Sequence, residues 1–162
     1  MAAADSKRVS ETRVTLSQLM QPLDANFQGT IHGGIIMRLI DEAAGVAAYR
    51  FCRQRVVTAH IDSIDFHDPV HIGNVVTLKS SVNYAGRTSM EIGVRVEAED
   101  LTTGELVHTN SAYLVFVALD AQGRPTEVPE LVVETDEEQR RWNEALERRR
   151  RRLDARQVGG HA

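Results

Sequence analysis

The first strong periodicity in the chain is helical. From Gly34 to about Arg53, the apolar residues Ile36, Leu39, Ile40, Ala43, Ala47 and Phe51 recur at the spacing of one helix face. The middle of this segment, Ala43, Ala44, Gly45, Ala47 and Ala48, is thin. Small side chains let neighbouring backbone approach closely, so the helix is expected to be wrapped by other elements. After it the period changes from 3.6 to 2. Val56 to Phe66 is expected to be a strand, ended by a polar stretch containing Pro69 and Gly73. Val75 to Ala85, Met90 to Asp100 and Glu105 to Leu119 alternate apolar and polar positions, with short turns at Gly86-Arg87-Thr88 and Thr102-Thr103-Gly104. Strands joined by such turns form an antiparallel meander. Thr12 to Met20 predicts a short first strand, broken at Gln21-Pro22-Leu23-Asp24.

The ends are polar. Residues 1–11 predict a disordered lead-in to a domain over 12–135. Residues 136–157 predict a charged terminal helix with Trp142, Leu146 and Leu153 about one face, and 158–162 are expected to fray. One strand, a long helix and four further strands give an α+β class, one thin helix against one antiparallel sheet of about five strands. A single sheet leaves unpaired edges, and pairing them with another subunit is the usual remedy. A homo-oligomer is therefore expected.

Composition narrows the function only modestly. The 162 residues suit one domain, and the net charge of −4 gives no general attraction to nucleic acid or anionic membrane. Residues 136–157 hold eight Arg against six Asp or Glu, and the run Arg148 to Arg152 lacks interleaved aromatics. It predicts a solvated amphipathic helix, possibly a subunit contact, with no nucleic-acid partner. The single cysteine, Cys52, excludes an internal disulfide and suits a reducing, cytoplasmic setting. No apolar run approaches a membrane span of about 20 residues, so no membrane insertion is expected. His60, His67, His71 and His108 lack metal-ligand spacing, and no metal is expected.

The chemistry concentrates in Asn26-Phe27-Gln28-Gly29-Thr30-Ile31-His32-Gly33-Gly34 and the helix it feeds. Paired glycines at a helix start leave backbone N–H groups bare, suited to an oxygen gaining negative charge. They equally suit close packing of backbone. Asp41 falls about two turns into the apolar helix, either ion-paired with Arg38 three residues earlier or held for chemistry. Asn26 offers an amide donor or an Asx turn, and His32 a donor or a cap. Glu42 points elsewhere around the helix and suits a dipole or interface role. Cys52 is expected to be a packed thiol.

Three further segments complete a pattern: Val56-Val57-Thr58-Ala59, Phe66-x-x-Pro69-Val70-x-Ile72-Gly73-Asn74-Val75-Val76, and Tyr84-Ala85-Gly86-Arg87-Thr88-Ser89-Met90-Glu91. Together with Asn26-x-x-Gly29-x-Ile31-His32-Gly33-Gly34 and Asp41-Glu42-Ala43-Ala44-Gly45, the chain resembles the hotdog-fold acyl-CoA thioesterases, over about residues 12–130. The resemblance implies a sheet wrapped around the helix and a dimer joined edge to edge, commonly assembled into a trimer of dimers. It implies hydrolysis of fatty acyl-CoA to CoA and free acid, with no metal and no cofactor beyond the CoA of the substrate. Asp41 corresponds to the family's catalytic aspartate, as general base or nucleophile, and Asn26 to an asparagine supplied by the neighbouring subunit. His32, Gly33 and Gly34 lie beside them as candidate donors, and a monomer should be inactive. The turn Gly86-Arg87-Thr88-Ser89 corresponds to a CoA-contacting segment, although a turn arginine is commonly just solvated. Two rivals are weighed. An enoyl-CoA hydratase on the same fold would want an Asp and His pair, and the Asp41 signature fits hydrolysis better. A non-catalytic acyl-CoA sensor would need a DNA-binding helix pair, and only about eleven residues precede the first strand.

Overall fold

The computed structural model describes residues 5–159. A five-stranded antiparallel sheet, in the order β2-β4-β5-β6-β3, curls around one central helix. Its strands are β2 (Val14–Leu19), β3 (Arg55–Ile61), β4 (Asn74–Ala85), β5 (Ser89–Asp100) and β6 (Leu106–Leu119). A short parallel pair, β1 (Ser6–Arg8) with β7 (Glu130–Val132), lies outside that sheet. The helices are α1 (Val9–Thr12), α2 (Gly33–Cys52) and α3 (Asp136–Gly159).

The thin face of α2 has the expected consequence. Ala43, Ala44, Ala47 and Ala48 are fully buried, packed with Leu78, Ile92 and Leu114 of the sheet. The approach is close enough for Ser80 Oγ on β4 to donate to the Ala43 carbonyl oxygen at 2.8 Å. That bond satisfies a hydroxyl which would otherwise be buried without a partner. The helix ends at Arg53, whose positive φ of 54° turns the chain back toward β3.

Two expectations about the ends are corrected. Ser6 to Thr12 is ordered structure, not a disordered lead-in, because α1 completes the sheet. β2 pairs with β4 only as far as Val14 opposite Ser80, so the Val82 N–H just beyond lacks a strand partner. Thr12 Oγ1 accepts it at 3.0 Å and itself donates to the Val9 carbonyl, burying Val9 and Thr12. Residues 1–4 and 160–162 lie outside the described residues.

The second correction concerns α3, which is not a solvated helix with leucines inward. It lies on the outer face of its own sheet, and Leu146 and Leu153 are exposed. Ala145 and Trp142 face the sheet, with Trp142 edge-on to Tyr84 at 4.7 Å between ring centroids. Thr135 and Glu138 cap the helix start reciprocally, at 3.1 and 3.3 Å. The outer face of β5 carries Glu91, only 1% exposed, and Arg148 of α3 meets it with two nitrogens at 2.7 to 3.2 Å. Arg152 reaches both Glu91 and Asp62. The polar outer face selects arginines as the docking residues. Periodicity of apolar residues alone misses this.

β3 ends at Ile61, earlier than the expected Phe66. The chain continues beside β6 without ladder pairing, the Asp62 N–H donating to the Tyr113 carbonyl at 3.0 Å.

Candidate active site

The site is built where α2 passes under edge strand β3. Asp41 is half-buried on the exposed side of α2, in an i, i+4 stripe with Met37, Gly45 and Tyr49. Thr58 of β3 donates its hydroxyl to Asp41 Oδ1 at 2.7 Å. A β-bulge immediately follows, between Thr58 and His60, so these two side chains point to opposite faces of the sheet. Thr58 is thereby aimed at the helix, and His60 at the arginines of α3.

Arg38 does not pair with Asp41. It meets Glu42 at 3.0 Å, one turn along the exposed surface. The carboxylate of Asp41 is thus held by a neutral hydroxyl, with Oδ2 free of hydrogen bonds among the described residues.

The loop before α2 is internally braced. Asn26 Oδ1 accepts from the backbone N–H of Gln28 at 3.0 Å and of Thr30 at 3.3 Å, and Asn26 Nδ2 donates to Thr30 Oγ1 at 3.1 Å. Gly29 takes φ of 84°, the left-handed turn that glycine adopts without cost. Phe27, beside Asn26 at the loop tip, is 98% exposed. Within one chain Asn26 serves its own loop and shares no hydrogen bond with Asp41.

His32 is the N-cap of α2, its Nδ1 accepting from the Gly34 N–H at 3.0 Å. The neutral ring then carries its hydrogen on Nε2, pointing away from the helix. Gly34 N–H is therefore already engaged. Gly33 N–H has no hydrogen-bond partner among the described residues, and the Phe66 ring lies beside it.

The β4–β5 turn is fixed by three backbone bonds: Gly86 to the Ser89 carbonyl, Ala118 to that of Thr88, and Val128 to that of Arg87. Arg87 is exposed, without an ion pair among the described residues. Ser89 and Val57 pair with Val117 from opposite sides, so the turn stands two strand spacings, about 10 Å, from β3. Burial pushes the Cys52 thiol up, keeping it a protonated packing group. No group of three metal-ligating side chains occurs among the described residues, and none of their helices is long and apolar enough to cross a membrane.

A family model described as the thioesterase superfamily matches residues 28–105. The uncharacterized acyl-CoA thioester hydrolase YkhA of Bacillus subtilis is 40% identical over 148 residues, covering 91% of this chain and 86% of that protein. A hexameric acyl-CoA thioesterase solved without ligand superposes with a TM-score of 0.89 at 38% identity, over 93% of this chain and 97% of its own. The chain belongs to the hotdog-fold acyl-CoA thioesterases. It is accordingly a thioester hydrolase. The acyl-CoA hydrolase of Staphylococcus aureus, solved with butyryl-CoA and CoA, superposes on the thioesterase with a TM-score of 0.85 at 34% identity, covering 96% and 98% of the two chains. In that hydrolase an asparagine, an aspartate and a threonine have each been replaced by alanine, at intervals of 15 and 17 positions. The same intervals separate Asn26, Asp41 and Thr58 in this thioesterase. Thr58 is the residue that sequence reasoning quoted within a motif and gave no role. Its signal was present, a hydroxyl in the strand following the helix, but only the fold brings it against Asp41.

Proposed function

We propose that the protein hydrolyses fatty acyl-CoA with Asp41 as general base. The hydrogen bond from Thr58 to Asp41 Oδ1 carries this reading, because it fixes the carboxylate while leaving Oδ2 to take a proton from water. The resulting hydroxide attacks the thioester carbon, the C–S bond breaks, and CoA leaves as its thiolate. Gly33 N–H, with the His32 Nε2–H nearby in sequence, supplies donors for the oxygen that gains charge. Asn26 comes from a neighbouring subunit and positions the water or the carbonyl. Its exposed neighbour Phe27 favours this arrangement, since a second copy would cover that ring.

The exposed apolar residues around Asp41 favour an oligomer in the same way. Met37, Val46 and Tyr49 of α2 and Val57 and Ile61 of β3 form an uncovered surface beside an unpaired sheet edge. Dimers joined there, assembling into hexamers as in the hexameric relative, complete the reading. Gly86 to Ser89 contacts the CoA portion, and the enzyme works in the cytoplasm without a metal or added cofactor.

The test is thiol release from acyl-CoAs of varied chain length. Asp41→Asn is expected to lower kcat by about 10²- to 10⁴-fold with the fold intact. Asn26→Asp keeps the Oδ1 acceptor that the loop uses and removes the amide donor, so it should lose activity without losing stability. In H₂¹⁸O, general-base catalysis labels only the released acid. Label found in Asp41 would show direct attack by the carboxylate instead.

A further inference from the structure

The arginines of α3 do more than dock the helix. Along its sheet-facing side run two adjoining grooves. One, of about 630 Å³, is lined by His60, Asp62, Ser63, Arg148, Arg151 and Arg156 among others. The second, of about 210 Å³, is lined by Ala59, Ser89, Arg149, Arg152 and Arg156 among others. Arg152, Arg156 and His60 border both. The carboxylates here are Asp62 and Glu91, and both are engaged by Arg148 and Arg152. Arg149, Arg151 and Arg156 form no ion pair among the described residues. Five arginines against two carboxylates leave a local charge of +3 on a chain whose net charge is −4.

Such a site takes a polyanion of nucleotide size, for a cleft of several hundred Å³ matches a small ligand and guanidinium forks match phosphate. Its position says which one. The smaller groove runs from Ser89, on the turn assigned above to CoA, to Ala59, the residue after Thr58. It thus reaches the edge of β3 next to the Asp41 site. We propose that this groove holds the phosphorylated adenosine end of acyl-CoA, with Arg149, Arg151 and Arg156 binding its pyrophosphate and 3′-phosphate. The proposal rests on the thioesterase reading and adds to it a substrate-binding role for α3. The terminal helix is then a specificity element that distinguishes acyl-CoA from thioesters lacking the nucleotide.

The experiment compares acyl-CoA with the same acyl group on pantetheine, using wild type, the triple variant Arg149→Gln/Arg151→Gln/Arg156→Gln, and Arg150→Gln as the off-groove control. The three groove arginines are exposed and unpaired, so their removal should leave the melting temperature unchanged. In the triple variant the ratio of kcat/KM for acyl-CoA over acyl-pantetheine is expected to fall about tenfold or more, through KM. Adenosine 3′,5′-bisphosphate should compete with acyl-CoA in wild type and lose potency in the triple variant. An unchanged ratio overturns the proposal while leaving thioesterase activity standing. So does an equal loss on both thioesters, or a fall matched by Arg150→Gln. If ADP altered kcat without competing with acyl-CoA, the groove would be a site for a free nucleotide, and the proposal would again be wrong. No hydrolysis of either thioester by wild type would sink the functional reading itself.

Discussion

The hydroxyl of Thr58 is the smallest part of the site with a measurable consequence. It donates one hydrogen bond to a carboxylate, and bonds to charged groups contribute about 1.5–3 kcal/mol. Thr58→Val preserves shape and removes the donor, so kcat should fall by roughly ten- to hundredfold with little change in KM. Thr58→Ser should recover most of the rate. A loss in KM alone would show that Thr58 holds substrate and not Asp41. Glu97 provides a residue-scale test of pH. Its carboxylate accepts from Arg95 and sits beside Lys79, and both partners hold its pKa below the ordinary value. A depressed pKa adds stability above the ordinary carboxylate range, lost as pH falls through the folded value. Glu97→Gln is therefore expected to be less stable than wild type at pH 7. The difference should close below about pH 4, as followed by chemical denaturation across pH.

At the scale of elements, α3 is fastened to the sheet mainly by charge. Glu91 is buried, and Arg148 stacks over the Tyr113 ring at 3.6 Å while gripping the carboxylate. Removing one partner of a buried pair leaves an uncompensated charge and costs about 3–5 kcal/mol. Glu91→Ala should lower the melting temperature and expose the α3 arginines to trypsin ahead of global unfolding. Replacing the pair together, Glu91→Met with Arg148→Leu, should recover most of the stability, because two apolar groups need no counter-charge. Equal losses in the single and double variants would mean that packing, and not the ion pair, holds the helix. At the same scale, Gly93 is constrained from outside. A Cβ there would stand 2.6 Å from Asn83 Nδ2, under the helix.

At the scale of the molecule, one chain presents half a site. Asp41 and Thr58 meet within it, while Asn26 bonds into its own loop and shares no hydrogen bond with Asp41. A site shared between subunits allows complementation. Asp41→Ala and Asn26→Ala, each inactive alone, should regain activity when unfolded and refolded together. Random pairing about a two-fold axis restores about a quarter of the wild-type sites. No recovery in mixed oligomers would place both residues in the same chain's site.

Much of this was legible in the sequence. The alanine-rich run Ala43 to Ala48 announced a helix with backbone close upon it, and alternation along Val75–Ala85 and Met90–Asp100 announced the meander. These are local signals, since periodicity expresses which face of an element meets the core. The motif residues Asn26, Gly33 and Asp41 were visible for a similar reason, being confined to one short stretch of chain. What lies across the sheet was not visible. That Thr58 would reach Asp41, that Arg38 would choose Glu42, and that His32 would occupy the Gly34 N–H depend on side-chain directions fixed by packing. The docking of α3 through arginines was hidden most deeply. A buried Glu91 looks solvent-facing in any alternating strand, and only a helix returning from 57 residues later makes it an interior group. The sequence by itself determined the elements and the stretch of chain that carries the chemistry. Tertiary structure decided which polar groups find one another, because an ion pair or hydrogen bond is set by separation in space, and the chain does not record that in its order.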